Sequence, residues 1–256
     1  MAKIIAVSNQ KGGTGKTTTV LNLGAALVKF HRKKVLLIDL DPQGSLTIFT
    51  GLLPEQTQFH LGTLLQNPAQ WEQALQEFYL PHLFFLPSHP QLEEIIKSAQ
   101  LKQKWSTHLK ELLTRASKNF NYIFIDCPPA LGSLTFQAFC NTNSIIIPLQ
   151  CEYMALRGVQ LLLDTIEKAR QQCNPQLKIL GVLPTMFDRR TLHSQEVLEE
   201  IGSALGHRVR IFDSIIYKTI RFPESAVSSL PIFEYDPQNP GAKAYKKLAK
   251  EVLKYG

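Results

Sequence analysis

The chain contains no uninterrupted apolar run of the roughly eighteen residues that a membrane-crossing helix needs. Behind Met1-Ala2-Lys3 there is no long apolar stretch and no cleavage signal, so no secretory leader is expected and a cytoplasmic protein is. Cysteine is scarce. Cys127, Cys140, Cys151 and Cys173 show no C-x-x-C spacing and no paired histidines, which argues against a zinc site and against a disulfide frame. The expectation is four reduced, mostly buried thiols. Repeats, low-complexity tracts and Gly/Ser linkers are absent too, and residues 1–256 are read as a single domain.

What the chain has is a moderate excess of positive charge, 28 Lys and Arg against 21 Asp and Glu. Residues 1–35 carry seven basic side chains and no acidic one, 36–188 carry ten against thirteen, and 189–256 carry eleven against eight. Such a balance suits an anionic partner, nucleic acid or membrane surface, and equally suits an ordinary solvated surface.

Short β-branched runs alternate with helical periodicity, the pattern of a mostly parallel α/β sheet flanked by helices on both faces. Strands are predicted at 3–8, 34–38, 83–86, 122–125, 144–148, 178–184 and 209–212, several of them apolar throughout, as strands covered on both faces are. Helices are predicted at 15–30, 91–99, 105–119, 134–141, 155–172, 192–205 and 241–254. Residues 41–82, punctuated by Pro42, Gly44, Gly51, Pro54 and Pro68, read as the least regular part. In this architecture ligands bind beyond the carboxyl ends of the strands.

After the first strand comes Lys11-Gly12-Gly13-Thr14-Gly15-Lys16-Thr17-Thr18 and then a helical pattern. The common phosphate loop opens on a glycine where this chain has Gln10, so the strict pattern fails. The chemistry survives. Gly12, Gly13 and Gly15 let the backbone turn its N–H groups onto phosphate oxygens, and the helix beyond adds its positive end. Lys16 reaches β- and γ-phosphates and the Thr17 hydroxyl suits Mg²⁺. A second cation, Lys11, can neutralise charge on a transferring phosphoryl group.

The second strand closes with Asp39-Leu40-Asp41-Pro42-Gln43-Gly44, two carboxylates at alternate positions. One can hold a metal-bound water and the other can orient an attacking water. The apolar run 122–125 ends in Asp126-Cys127-Pro128-Pro129, the form of a Walker B element, whose Asp126 would accept from a metal-bound water or from Thr17. Cys127 is read as a packing residue.

The loop Lys11–Thr18 resembles the deviant Walker A of the ParA/MinD ATPases, and most closely their ParA/Soj partition branch. That resemblance implies that Lys11 is a signature lysine crossing to a partner's nucleotide in an ATP-sandwich homodimer. It implies that Asp41 is needed for hydrolysis and that Asp39 has a supporting, metal-side role. Residues Ala130-Leu131-Gly132-Ser133 resemble the family's second switch. Thr185-Met186-Phe187-Asp188-Arg189-Arg190-Thr191 resembles the segment whose strand end, here Met186, packs on adenine and whose arginine, here Arg190, serves DNA binding. Arg221 matches a second such arginine. Arg189, Arg190, Lys218 and Arg221 would form a patch on duplex DNA phosphates without reading sequence. Tyr217-Lys218 and Phe222-Pro223 depart from the family pattern, which leaves adenine contacts of that segment open.

The resemblance therefore implies an ATP- and Mg²⁺-dependent dimeric switch for chromosome or plasmid partition. Its hydrolysis would be slow and stimulated by a ParB-like partner, and the protein would be associated with the nucleoid. A MinD-like membrane-positioning ATPase is the alternative, resting on the basic amphipathic run 241–254. That run is expected to dock its apolar stripe on the core instead. An amide-forming or carboxylating ATPase on the same scaffold is a third reading, and the chain shows no substrate motif for it.

Overall fold

A computed structural model describes residues 1–98, 104–152, 155–188, 190–206 and 209–256. Seven strands form one sheet: β1 (Lys3–Val7), β2 (Val35–Asp39), β3 (Gln76–Glu77), β4 (Leu83–Leu86), β5 (Tyr122–Asp126), β6 (Ser144–Gln150) and β7 (Lys178–Thr185). Their spatial order is β3-β4-β2-β5-β1-β6-β7, with β3 antiparallel to β4 and every other pair parallel. The helices are α1 (Lys16–His31), α2 (Ser45–Phe49), α3 (Leu61–Gln66), α4 (Trp71–Ala74), α5 (Leu92–Lys97), α6 (Trp105–Ala116), α7 (Ser133–Cys140), α8 (Ala155–Gln172), α9 (Leu192–Leu205), α10 (Arg221–Val227), α11 (Ile232–Tyr235) and α12 (Pro240–Tyr255).

Strand alternation divides the core in two. Ala6, Leu36, Ile38, Ile123, Ile125, Ile145 and Ile147 face one layer, with Leu109 and Leu113 of α6 and Leu162 and Ile166 of α8. Ile5, Val7, Leu37, Phe124 and Ile146 face the other, with Leu21 and Leu27 of α1 and Tyr245, Leu248 and Val252 of α12. Both faces are covered, which is why the central strands carry apolar side chains at every position. Each large aliphatic side chain fully buried this way contributes about 1.5–3 kcal/mol.

Chain order sets the position of the site. From β1 the chain crosses to β2 on one side, whereas from β5 it passes over β1 to reach β6 on the other. The order of strands reverses around β1, and the crevice at its carboxyl end is where this topology takes ligands. Register brings Val7 and Asp39 level with Asp126 there.

Several sequence expectations are corrected. Residues 209–212 form no strand; Ile211 makes a single parallel bridge to Val182. The irregular segment 41–82 holds three short helices and the edge strand β3, too short for periodicity to show. Helices α10 and α11 were not expected either. The cysteines also differ: Cys140 and Cys173 are disulfide-bonded, and only Cys127 and Cys151 are free and buried. The two bonded residues are 33 positions apart, a spacing with no local signature, and the packing of α7 beside α8 brings their Cα atoms to 5.3 Å. The run 241–254 behaves as expected, for α12 buries Tyr245, Leu248, Ala249 and Val252 on the core.

Candidate functional site

The loop after β1 is shaped by its glycines. Gly13 and Gly15 hold φ of 72° and 86°, a region that L side chains avoid, and Gly15 caps α1. A Cβ on Gly12 or Gly13 would meet nothing within 4 Å, so the loop faces open space, the cradle a polyphosphate requires. The loop is tied down from behind. Thr14, fully buried, receives at its carbonyl the Thr185 hydroxyl at 2.9 Å, and Gln150 Nε2 donates to the Gly13 carbonyl at 2.9 Å. Asn9 Oδ1 accepts from the Lys11 N–H at 3.0 Å while its Nδ2 donates to the Pro148 carbonyl at 2.6 Å. The half-buried Thr18 is anchored through its carbonyl to Asn22 Nδ2 at 2.9 Å.

The two loop lysines have different destinations. Lys16 is buried, its Nζ 3.3 Å from the Lys11 carbonyl. Burial holds its pKa below the ordinary lysine value, while Asp126 and Asp41 pull the other way. Lys11 instead lies outside and pairs with Glu152 at 2.5 Å, with about half of each side chain exposed (48% and 56%).

Thr17 donates its hydroxyl to Asp126 Oδ2 at 2.6 Å. Asp126 is buried, and its Oδ1 has no hydrogen-bond partner among the described residues. Burial is the main cause raising the Asp126 pKa well above the carboxylate range, with the Asp39 charge adding to it and Thr17 and Lys16 opposing. A cation here would relieve that cost. Among the described residues no cluster of three or more His, Cys, Asp or Glu forms a cage. The donor set fits Mg²⁺, which takes one or two protein ligands and completes its shell with phosphate and water.

Asp39, expected on the metal side, has hydrogen bonds on both carboxylate oxygens. Its Oδ2 accepts from the Thr47 N–H at 2.8 Å and the Thr47 hydroxyl at 2.7 Å, and its Oδ1 accepts from the Asp41 N–H at 3.1 Å. Both oxygens are committed within the chain, to α2 and to the turn. Burial raises its pKa to about 7, and the Thr47 bonds oppose that rise. Asp39 thus fixes the start of the 41–44 turn, in which Asp41 Oδ1 accepts from the Gln43 N–H at 3.0 Å and the Asp41 carbonyl accepts from Gly44 at 2.8 Å. Asp41 remains close enough to Lys16 and Asp126 to act on both electrostatically.

Met186, half-buried, follows β7 with φ 52°, an uncommon conformation for a residue with a Cβ. The next residues pair with 216–218: Phe187 N–H donates to the Ile216 carbonyl at 3.1 Å and Lys218 N–H to the Phe187 carbonyl at 3.0 Å. The Phe187 and Tyr217 rings meet edge to face at 5.7 Å. The divergent segment therefore lies alongside Met186.

Of the four basic residues expected on DNA, Arg189 lies outside the described residues. Arg190 is 87% exposed and forms a fork on Asp188, Nε at 3.0 Å and Nη2 at 2.8 Å. Those bonds hold the Asp188 pKa down at about 2. Arg221 Nη1 donates to Glu224 at 2.8 Å and its Nε is 3.7 Å from Asp236. Lys218 is exposed. Lys218 acts electrostatically on the same Asp188, and Arg221 sits between two acids of its own, so the charge around these cations is more balanced than the sequence suggested.

Sequence reasoning missed Glu152, Thr47, Gln150 and Asn9. None has a local motif; each matters through a contact made in space.

The chain matches the AAA domain family over residues 2–179. It is 38% identical to the sporulation initiation inhibitor protein Soj of Bacillus subtilis over 260 residues, covering all of both chains. The crystal structure of cobyrinic acid a,c-diamide synthase from Mycobacterium smegmatis with bound ADP and magnesium superimposes with a TM-score of 0.85 at 34% identity, covering 99% of this chain and 95% of that one. The septum site-determining protein MinD of Pyrococcus horikoshii, complexed with Mg-ADP, gives 0.78 at 26% identity, over 98% and 96%. With this loop, this sheet order and these relatives, the chain belongs to the ParA/MinD family of P-loop ATPases.

Proposed function

We propose that the protein is an ATP-dependent dimeric switch for DNA partition, its 256 residues acting as one P-loop domain in the cytoplasm, on the nucleoid. The observation that carries this reading is the divergence of the two loop lysines. Lys16 is buried facing Asp126 and Asp41, as a residue serving its own nucleotide should be. Lys11 is about half exposed, as a residue serving a second copy's nucleotide should be.

In this reading Gly12 to Thr18 hold the phosphates through backbone N–H groups and the α1 N-terminus. Thr17 and Asp126 would hold Mg²⁺, which would supply positive charge to offset that of the nucleotide's phosphates. Asp41 orients the attacking water and Asp39 fixes the turn that carries it. Lys11 leaves Glu152 for the partner's phosphates, a change that costs little because exposed ion pairs are worth about 0–1 kcal/mol. Met186 lies against adenine. Arg190 and Arg221 exchange their acidic partners for DNA phosphates, Lys218 and Arg189 join them there, and a ParB-like protein stimulates slow hydrolysis. The relatives of this chain include the chromosome-partitioning ATPase Soj of Treponema pallidum and the chromosome partitioning protein ParA of Caulobacter vibrioides, which supports this reading.

The M. smegmatis synthase supports a second reading, an amide-forming ATPase. The MinD-like membrane reading is weakened by α12, whose apolar stripe is already buried.

Retention on non-specific duplex DNA with ATP, with ADP and without nucleotide decides among them, for the wild type and Asp41→Ala at two salt concentrations. Retention that needs ATP, rises in Asp41→Ala and falls steeply with salt is the expected result. Binding to anionic liposomes in place of DNA would move the assignment to the membrane reading. ATP turnover that requires a carboxylate substrate and ammonia or glutamine, without DNA retention, would move it to amide formation.

A further inference from the structure

Helices α7 and α8 both spring from segments that face the phosphate site. The loop 127–132 joins Asp126 to α7, and Glu152, the partner of Lys11, lies just ahead of α8. The far ends of these two helices are joined by the Cys140–Cys173 disulfide. Cys140 is half-buried and Cys173 exposed, both on a cleft of about 350 Å³ lined also by Ser106, Lys110, Phe136, Gln137, Asn141 and Gln172. The other two cysteines, Cys127 and Cys151, are buried.

We infer that Cys140 and Cys173 form a reversible thiol–disulfide exchange site that sets how freely α7, and with it the loop 127–132, can move. The co-reactants are dithiols for reduction and low-molecular-weight disulfides for oxidation. In reduction, a dithiol's thiolate attacks the sulfur of Cys173, the more exposed of the two residues, and the Cys173–Cys140 bond breaks. Cys140 leaves as a thiolate, beside the Lys110 side chain that lines the cleft, and takes up a proton. The dithiol's second thiol then attacks the mixed disulfide and releases Cys173. Two electrons and two protons reach the protein, and the dithiol becomes a disulfide. Oxidation runs the same exchange in reverse.

The surroundings suit a switch better than a structural staple. Asn174 Nδ2 donates to the Phe139 carbonyl at 2.8 Å and the Thr142 carbonyl at 2.7 Å, so the helix is kept from unfolding when the bond opens while losing its covalent restraint. Ser106 Oγ donates to Gln137 Oε1 at 2.5 Å and ties α6 to α7 independently. The apolar layer beneath, with Phe139 and Ala138 of α7 and Leu162 and Ile166 of α8, is untouched by reduction. What reduction removes is the covalent link between the two helices whose near ends flank the phosphate site. In a reducing cytoplasm, disulfides that form are usually transient and regulatory. The consequence for ATP turnover rests on the partition-switch reading; the exchange site and its effect on α7 do not.

The test begins with thiol counting of denatured full-length protein after treatment with oxidised glutathione or with dithiothreitol. Two titratable thiols are expected in the first case and four in the second. Four in both would overturn the proposal. Amide hydrogen exchange of residues 127–140 is then compared between the two forms and the double variant Cys140→Ser/Cys173→Ser. Faster exchange is expected in the reduced form and in the variant, with the variant indifferent to either reagent. Equal exchange in oxidised and reduced protein would overturn the control of α7. ATP turnover and ATP-dependent dimer formation, read in parallel, are expected to be about fivefold lower in the oxidised form, within the usual range of coupling between sites. If neither form binds ATP, the partition-switch reading fails, while thiol count and exchange still decide this proposal.

Discussion

The Thr17 hydroxyl and Asp126 Oδ2 lie 2.6 Å apart, so one hydrogen bond joins the first turn of α1 to the last residue of β5. Asp126 is buried with its other oxygen unpartnered among the described residues, and Thr17 is the donor that offsets its desolvation. Thr17→Ala should lower stability by about 1–3 kcal/mol, the cost of stranding a buried acceptor. It should also abolish the magnesium-dependent part of ATP binding. Urea unfolding and nucleotide titration with and without Mg²⁺ measure the two effects, and Thr17→Ser should restore both. Full magnesium dependence in Thr17→Ala would remove Thr17 from the proposed metal site.

Gly13 and Gly24 separate backbone need from space. At Gly13 a Cβ has open room but the φ of 72° opposes it. At Gly24, in α1, a Cβ would lie 2.6 Å from Leu37 Cδ2. Gly13→Ala should distort the loop and weaken nucleotide binding by at least tenfold, since a strained left-handed residue costs about 1–3 kcal/mol. Gly24→Ala should cost about 1–3 kcal/mol of stability through overpacking and leave nucleotide affinity within twofold. Isothermal titration beside thermal melts distinguishes the two patterns.

These glycines also show how much was legible in the sequence. The loop, Asp126 and the central strands could be read because their signals are local: a glycine pattern, a lysine and threonine at fixed offsets, apolar runs ending in acids. The same locality explains what could not be read. Asp39 turns onto Thr47, eight residues away in a helix too short to announce itself. Lys11 meets Glu152 from 141 residues away, and Cys140 meets Cys173 only because two helices pack side by side. The balanced charge at Arg190 and Arg221 depends on Asp188, Glu224 and Asp236 folding back to them.

Glu152→Gln should leave stability nearly unchanged, because an ion pair this exposed contributes about 0–1 kcal/mol. It should nevertheless speed ATP-dependent dimer formation, since Lys11 no longer leaves a charged partner to reach a second nucleotide. Light scattering after ATP addition reads the rate. The wild-type rate should approach that of the variant as salt rises, because the salt screens the Lys11–Glu152 attraction. A variant with an unchanged rate at low salt would mean that Glu152 does not hold Lys11 back.

His60, buried and stacked on His89 at 4.4 Å, has its pKa lowered to about 4, chiefly by burial and next by the His89 charge. An unfolded histidine titrates near its ordinary value of 6.5. Between these two values the unfolded chain binds a proton that the folded chain refuses, so stability falls as pH drops through this window and levels off below it. His60→Asn keeps an acceptor for the Gly62 N–H, which His60 Nδ1 now takes at 3.2 Å. The variant should show a shallower loss of stability from about pH 6.5 to about pH 4, by up to one proton. Denaturant midpoints measured across that range check the slope.

The last prediction concerns α12, where the membrane and core readings part. Leu248 is fully buried, and the Tyr245 hydroxyl lies 3.2 Å from that of Thr19 in α1. A helix held this way loses core packing when Leu248 is cut back, and Leu248→Ala should destabilise the protein by about 2–5 kcal/mol. Tyr245→Phe should cost about 1 kcal/mol through the lost hydrogen bond. Neither substitution should change binding to anionic liposomes, which is expected to be negligible from the start. A helix that served the membrane would respond the other way, keeping its stability and losing liposome binding when Leu248 is removed. Unfolding midpoints and vesicle sedimentation on the same two variants therefore settle which face of α12 matters.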